Sequence, residues 1–165
     1  MPLWNEPLAT QAEVDAIITE VTALEDRQRY TWQSDLVTSA DIVGGAASES
    51  IVLGPAFPTN VEIVAAYFQI TTTASSSNAV NTATLTLQLG VSGSANSYLA
   101  AGANMFGFAA GFPSHFAGGL LGTMRSADTP RITLTCTGAA PNTGNVLNLG
   151  VIAFVEYFLP RAGDA

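Results

Sequence analysis

The sequence predicts a mainly β protein: an antiparallel β-sandwich or jelly roll that carries one amphipathic α-helix near its N-terminus. Three observations lead there. Two stretches, residues 83–91 (ATLTLQLGV) and 131–137 (RITLTCT), alternate apolar and hydroxyl-bearing side chains with a period of two. A single stretch, residues 10–27, has apolar residues at helical spacing. The 165 residues are 48% hydrophobic and only 11% charged, against a norm of about 25% charged. That is enough apolar material for one real core and little for a conventional charged surface.

The helix comes first. Thr10 followed by Glu13 forms a capping box, in which each side chain satisfies a backbone N–H at the helix start. Val14, Ile17, Ile18, Val21 and Leu24 then make one apolar stripe. Glu13, Asp15, Glu20, Glu25 and Asp26 lie largely off it, and Arg27 and Arg29 suit the C-terminal dipole. Such a stripe needs a cover, either the chain's own sandwich or a neighbouring subunit.

After Tyr30 and Trp32 a Gly/Ala/Ser-rich connection spans about 38–50, so the chain divides into an acidic arm, 1–48, and a sandwich domain, 49–165. Residues 51–53 start the strands and stop at Gly54-Pro55. Residues 61–73 are rich in β-branched and aromatic types and form one long strand, followed by a loop at 75–78. Leu85, Leu87 and Leu89 face inward in the next strand, as do Ile132, Leu134 and Cys136 in a later one. The last strand, about 147–159, is apolar on both faces. Leu147, Leu149, Val151, Ala153, Val155, Tyr157 and Leu159 line one side, and Ile152, Phe154 and Phe158 the other. A two-faced strand is either central and covered on both sides, or an edge pressed against another chain. Seven or eight strands with no second helix close most simply as two packed sheets.

Charge narrows the function. Residues 1–62 hold ten acids against two arginines, which is the whole net charge of −8. Residues 63–165 hold three acids and three arginines. There is no lysine, and no charged residue lies between Glu62 and Arg125. Nucleic-acid binding needs clustered cations to displace counterions, and anionic lipid needs a basic patch. Neither partner fits. The Gly/Phe-rich stretch 99–124 is a poor spanning helix, because Asn104, Pro113, Ser114, His115 and six glycines interrupt it. The N-terminus lacks the basic-then-apolar order of a signal peptide. A surface with so little charge suits burial against partners.

Chemistry is not found. His115 is the only histidine, flanked by aromatics in Phe112-Pro113-Ser114-His115-Phe116, with no G-x-S-x-G elbow to pair it with. The sandwich offers only Asp128, Glu156 and Glu62 as carboxylates, and Glu156 reads as the partner of Arg131 or Arg125. One cysteine and one histidine make no zinc site. Asp35, Asp41 and Glu49 match no calcium loop, and the glycines match no phosphate-binding motif. Cys136 falls on the apolar phase of its strand and reads as a buried small hydrophobe. The expectation is a non-enzymatic chain without cofactor or metal.

Three segments carry a resemblance: "LGPAFPTNVEIVAAYFQITT" at 53–72, "TLTLQLGVSGSANSYL" at 84–99 and "PRITLTCTGAAPNTGNVLNLGVIAFVEYF" at 130–158. With an L-x-L-G-V strand before a polar turn, and a last strand reading V-x-x-F-V-E-Y, they resemble the β-sandwich decoration (cement) proteins of tailed bacteriophage capsids. The resemblance implies a virion protein, made in the host cytoplasm and carried on the capsid surface. It would bind the major capsid protein and itself, as a homotrimer. Candidate interface residues are Phe106, Phe108, Phe112, His115 and Phe116 in the Gly/Phe-rich loop, with Phe154 and Phe158 on the last strand. The alternatives are a tail, baseplate or head-fibre component, or a carbohydrate-binding module, for which Tyr98 is the best stacking platform.

Overall fold

The computed structural model describes residues 10–25, 29–58, 61–100, 102, 104–107, 110–111, 113–114, 124–125 and 129–159. The helix, α1, runs Gln11–Glu25. Its start is capped as the Thr10/Glu13 pair requires: the Thr10 N–H donates to Glu13 Oε2 at 2.7 Å, and the Glu13 N–H donates to Thr10 Oγ1 at 3.3 Å. The Thr10 N–H, helped by its hydroxyl, holds the Glu13 carboxyl below its usual range. Residues 10–20 are all exposed, Ile17 by 58% and Ile18 by 56%. The sandwich of the same chain leaves this part of the stripe uncovered.

The strands are β1 (Arg29–Gln33), β2 (Val37–Thr38), β3 (Ser48–Val52), β4 (Val61–Thr72), β5 (Ser75–Ser76), β6 (Thr84–Val91) and β7 (Ser94–Leu99). They continue as β8 (Pro113–Ser114), β9 (Met124–Arg125), β10 (Arg131–Thr137), β11 (Val146–Leu147) and β12 (Gly150–Phe158). All the strand pairings are antiparallel. One sheet has the order β1-β12-β4-β8, with β2 also on β12 and β9 also on β4. The second has the order β3-β10-β6-β7, and β5 and β11 form a separate ribbon.

The period-two strands fall as their sequences require. Leu85, Leu87, Leu89, Ile132, Leu134 and Cys136 are each at most 2% exposed. Fully burying a leucine contributes about 1.5–3 kcal/mol, and a slip of one residue would expose the whole row, so burial sets this register. From the facing sheet Ile63, Phe68, Ile70, Val151, Ala153 and Val155 complete the core. Phe57 closes one end, with its ring 5.5 Å from Trp32 and 5.7 Å from both Tyr98 and Tyr157. The Trp32 Nε1–H donates to the Pro55 carbonyl at 3.1 Å.

Several elements differ from expectation. The sheet begins at Arg29, upstream of the division after residue 48: β1 pairs with β12, and Trp32 and Val37 are core residues. A five-residue strand beside a helix is too short to announce its own period. Ser75–Ser76, expected in a loop, pairs with Val146–Leu147. The last strand is split as well. Asn148 takes a left-handed backbone (φ 57°), which leaves Leu147 43% exposed while Leu149 is buried.

One polar cluster ties the loop at 42–47 to the sandwich. The Glu49 carboxylate accepts from the Val43 N–H (2.7 Å), the Gly44 N–H (3.0 Å) and the Thr143 hydroxyl (3.0 Å). Burial opposes its charge, but the three hydrogen bonds prevail and hold the carboxyl below its usual range. Asn142 Oδ1 accepts from the Gly45 and Gly144 N–H groups beside it.

Candidate functional site

The outward faces of the two sheets differ in chemistry because their outward strand phases differ in sequence. On the β4–β12 sheet the outward residues are Glu62, Val64, Ala65, Tyr67 and Gln69 beside Ile152, Phe154, Glu156 and Phe158, all partly buried. A register shift where Glu156 meets Ala65 turns both Val64 and Ala65 outward. Phe154 stands opposite Tyr67, and their rings stack at 5.0 Å with planes 10° apart. Arg29 on β1 forms an ion pair with Glu156. Among the described residues the partner of Glu156 is therefore Arg29 and not Arg131, and the side chain of Arg125, the other expected partner, lies outside them. The strand neighbour of Glu156 is β1, so the cation comes from the residue that the sequence assigned to the arm.

β12 is thus a central strand, flanked by β1 and β4, and its second apolar face is a half-buried patch on the outside of the sandwich. Of the candidate interface residues, Phe154 and Phe158 lie on this patch. Phe106 is elsewhere: it bridges to Ala74 and packs against the core, as an ordinary filler would. Phe108, Phe112, His115 and Phe116 lie outside the described residues.

The other sheet presents hydroxyls. Thr84, Thr86, Thr133, Thr135, Ser48 and Ser50 project outward beside Gln88, and their hydroxyls bond across the strands. Ser48 Oγ meets Thr135 Oγ1 at 3.0 Å, and Thr84 Oγ1 meets Thr137 Oγ1 at 2.6 Å. At one end lies an open depression of about 390 Å³, lined by Arg131, Ser50, Thr133, Val91, Ala95 and the turn 92–94. Gly90 makes its wall possible. It pairs opposite Arg131, and a Cβ there would meet the Ser94 carbonyl oxygen at 2.1 Å, so the returning hairpin occupies the space of a side chain. The signal for this feature was legible: Arg131 shares the outward phase of Thr133 and Thr135.

The remaining candidates resolve by burial. Tyr98 is 1% exposed against Phe57, which removes it as a sugar-stacking platform; its flanking Ser97 and Leu99 are buried too. Cys136 is buried, and burial pushes its thiol pKa up. Burial and the adjacent Tyr30 raise the Tyr157 hydroxyl likewise. Among the described residues no three His, Cys, Asp or Glu side chains come together, and Asp35, Asp41 and Glu49 serve separate loops. No helix among them is long and apolar enough to cross a membrane.

No protein-family model and no curated protein matches the chain. Among solved structures, the chain is similar to one in the cyanophage Pam1 capsid asymmetric unit. The TM-score is 0.48 and the identity 17%, over 81% of this chain and 86% of that one.

Proposed function

We propose that this chain is a virion structural protein: a decoration or cement protein that binds the outer surface of a phage head as a homotrimer and stabilises it. The observation that carries the proposal is the second apolar face of the β4–β12 sheet, centred on the Phe154–Tyr67 stack. A central strand that is apolar on both faces buries one in its own core and offers the other to a partner. The exposed stripe of α1 supports the same reading, as do 62 consecutive residues without a charge, 63–124. Binding of this kind works through buried apolar area anchored by aromatic side chains, without chemistry on a substrate. The major capsid protein is the partner that the resemblance of residues 53–158 to decoration proteins implies.

Co-sedimentation tests it. Purified chain added to heads that lack it should bind to saturation and raise the temperature at which the heads rupture. Heads that remain bare sink the proposal. Binding to tails or fibres instead would assign the chain to those structures, and binding to a glycan array would make it a carbohydrate module.

A further inference from the structure

Among the described residues the guanidinium of Arg131 has no acceptor. Its Nε is buried without a hydrogen-bond partner, and the ion pair described in the structure belongs to Arg29 and Glu156. Arg131 makes no hydrogen bond or ion pair with its side chain among the described residues. A guanidinium stays charged at every relevant pH, so partly burying it without an acceptor costs free energy that an incoming anion would recover. Ser50, Ser94 and Thr133 bring hydroxyls to the same depression, and Val91 and Ala95 give it an apolar floor. Val52, 53% exposed, pairs opposite Arg131 and extends that floor.

On α1 the reciprocal set is exposed. Ile17 and Glu20 sit three residues apart, hence on one face, beside Val14 and Ile18. Glu13 is engaged by Thr10, and Asp15 accepts from the Gln11 side-chain amide at 2.7 Å. Glu20 has no such local partner among the described residues. We propose that the depression at Arg131 receives the α1 helix of a second copy, with Glu20 accepting from Arg131 and the Ile17 side of the stripe on Val52, Val91 and Ala95. The chemistry matches on three counts. A planar guanidinium fork takes a carboxylate in bidentate fashion, and the hydroxyls can donate to its remaining lone pairs. The apolar stripe gains the cover it lacks. The −8 carried by residues 1–62 meets the neutral sandwich at Arg131, a cation without an acceptor among the described residues. Because the donor and acceptor surfaces differ, the contact is head-to-tail and can close into a ring. This docking stands independently of the capsid reading.

The test is the molar mass of the full chain by light scattering across a concentration series. Arg131→Glu and Glu20→Arg should each weaken self-association by about tenfold or more, the range between exposed and buried ion pairs. The double variant should recover it, and salt should weaken the wild type more than either single variant. Arg131→Gln serves if the reversed charge disturbs folding, which thermal unfolding reports. A wild-type chain that stays monomeric, single variants that assemble normally, or a double variant no better than the singles would each overturn the docking. Head binding that persists without self-association would overturn the docking and the trimer while leaving head binding itself standing. Self-association without head binding would count against the capsid reading alone.

Discussion

Phe154 of β12 and Tyr67 of β4 stand directly opposite one another on the outside of the sandwich, stacked at 5.0 Å with nearly parallel rings. Both belong to strands whose other faces form the core, so one pair of strands serves two surfaces. The pair is the centre of the proposed interface because it is aromatic and only partly covered.

Replacing Phe154 with serine should therefore separate folding from binding. The lost stack and half-buried area should cost about 1–2 kcal/mol of stability, since the ring is incompletely buried. Affinity for heads should fall at least tenfold, as for an interface anchor. Chemical denaturation and co-sedimentation of the same variant would measure the two effects.

Phe57→Ala should behave in the opposite way. This ring fills the end of the core between Trp32, Tyr98 and Tyr157, and its removal leaves a cavity worth about 3–5 kcal/mol. Arg29→Ala, which removes the ion pair with Glu156, should cost under about 1 kcal/mol because Arg29 is 53% exposed. Urea unfolding midpoints should rank the two far apart.

Glu49 gives the fold an acid-sensitive clasp. Its carboxyl is held below the usual range when folded, so its contribution is present above the ordinary carboxylate value of 4.5 and lost as pH falls through the folded value. Glu49→Gln should cost about 1–3 kcal/mol at neutral pH, the range for hydrogen bonds to a charged acceptor. Melting temperature plotted from pH 7 down to pH 3 should fall less for the variant than for the wild type.

Cys136 should resist modification by a thiol-specific disulfide reagent in the native state, with a raised thiol pKa and 2% exposure. Reaction should appear only on unfolding, at the unfolding rate. Rapid labelling of native protein would show that β10 is not seated as described.

How much of this was legible in the sequence depends on the length of each signal. The leucine row of β6 and the inward row of β10 announce themselves through a period of two sustained over seven or more residues, and the long β4 through its run of β-branched and aromatic residues. The Thr10/Glu13 cap is a local pattern and needs no tertiary context. β1 and β2 are not legible in this way, since their membership depends on pairing with β12 more than 100 residues later. The Arg29–Glu156 pair follows from that same long-range contact. The outward patch was half legible: the two-faced composition of the last strand was plain, but the opposing Tyr67 required the register. Glu49 matched no calcium loop and had no role legible in the sequence, because side-chain counting cannot anticipate backbone N–H donors from a loop folding back on it.

The central claim is tested most directly by a cryo-EM reconstruction of heads assembled without this chain and then incubated with it. The account predicts added density on the outer capsid surface at symmetry-related positions, three sandwiches to each, with the β4–β12 outer face against the shell. Heads without added density, or density confined to the tail, would contradict it.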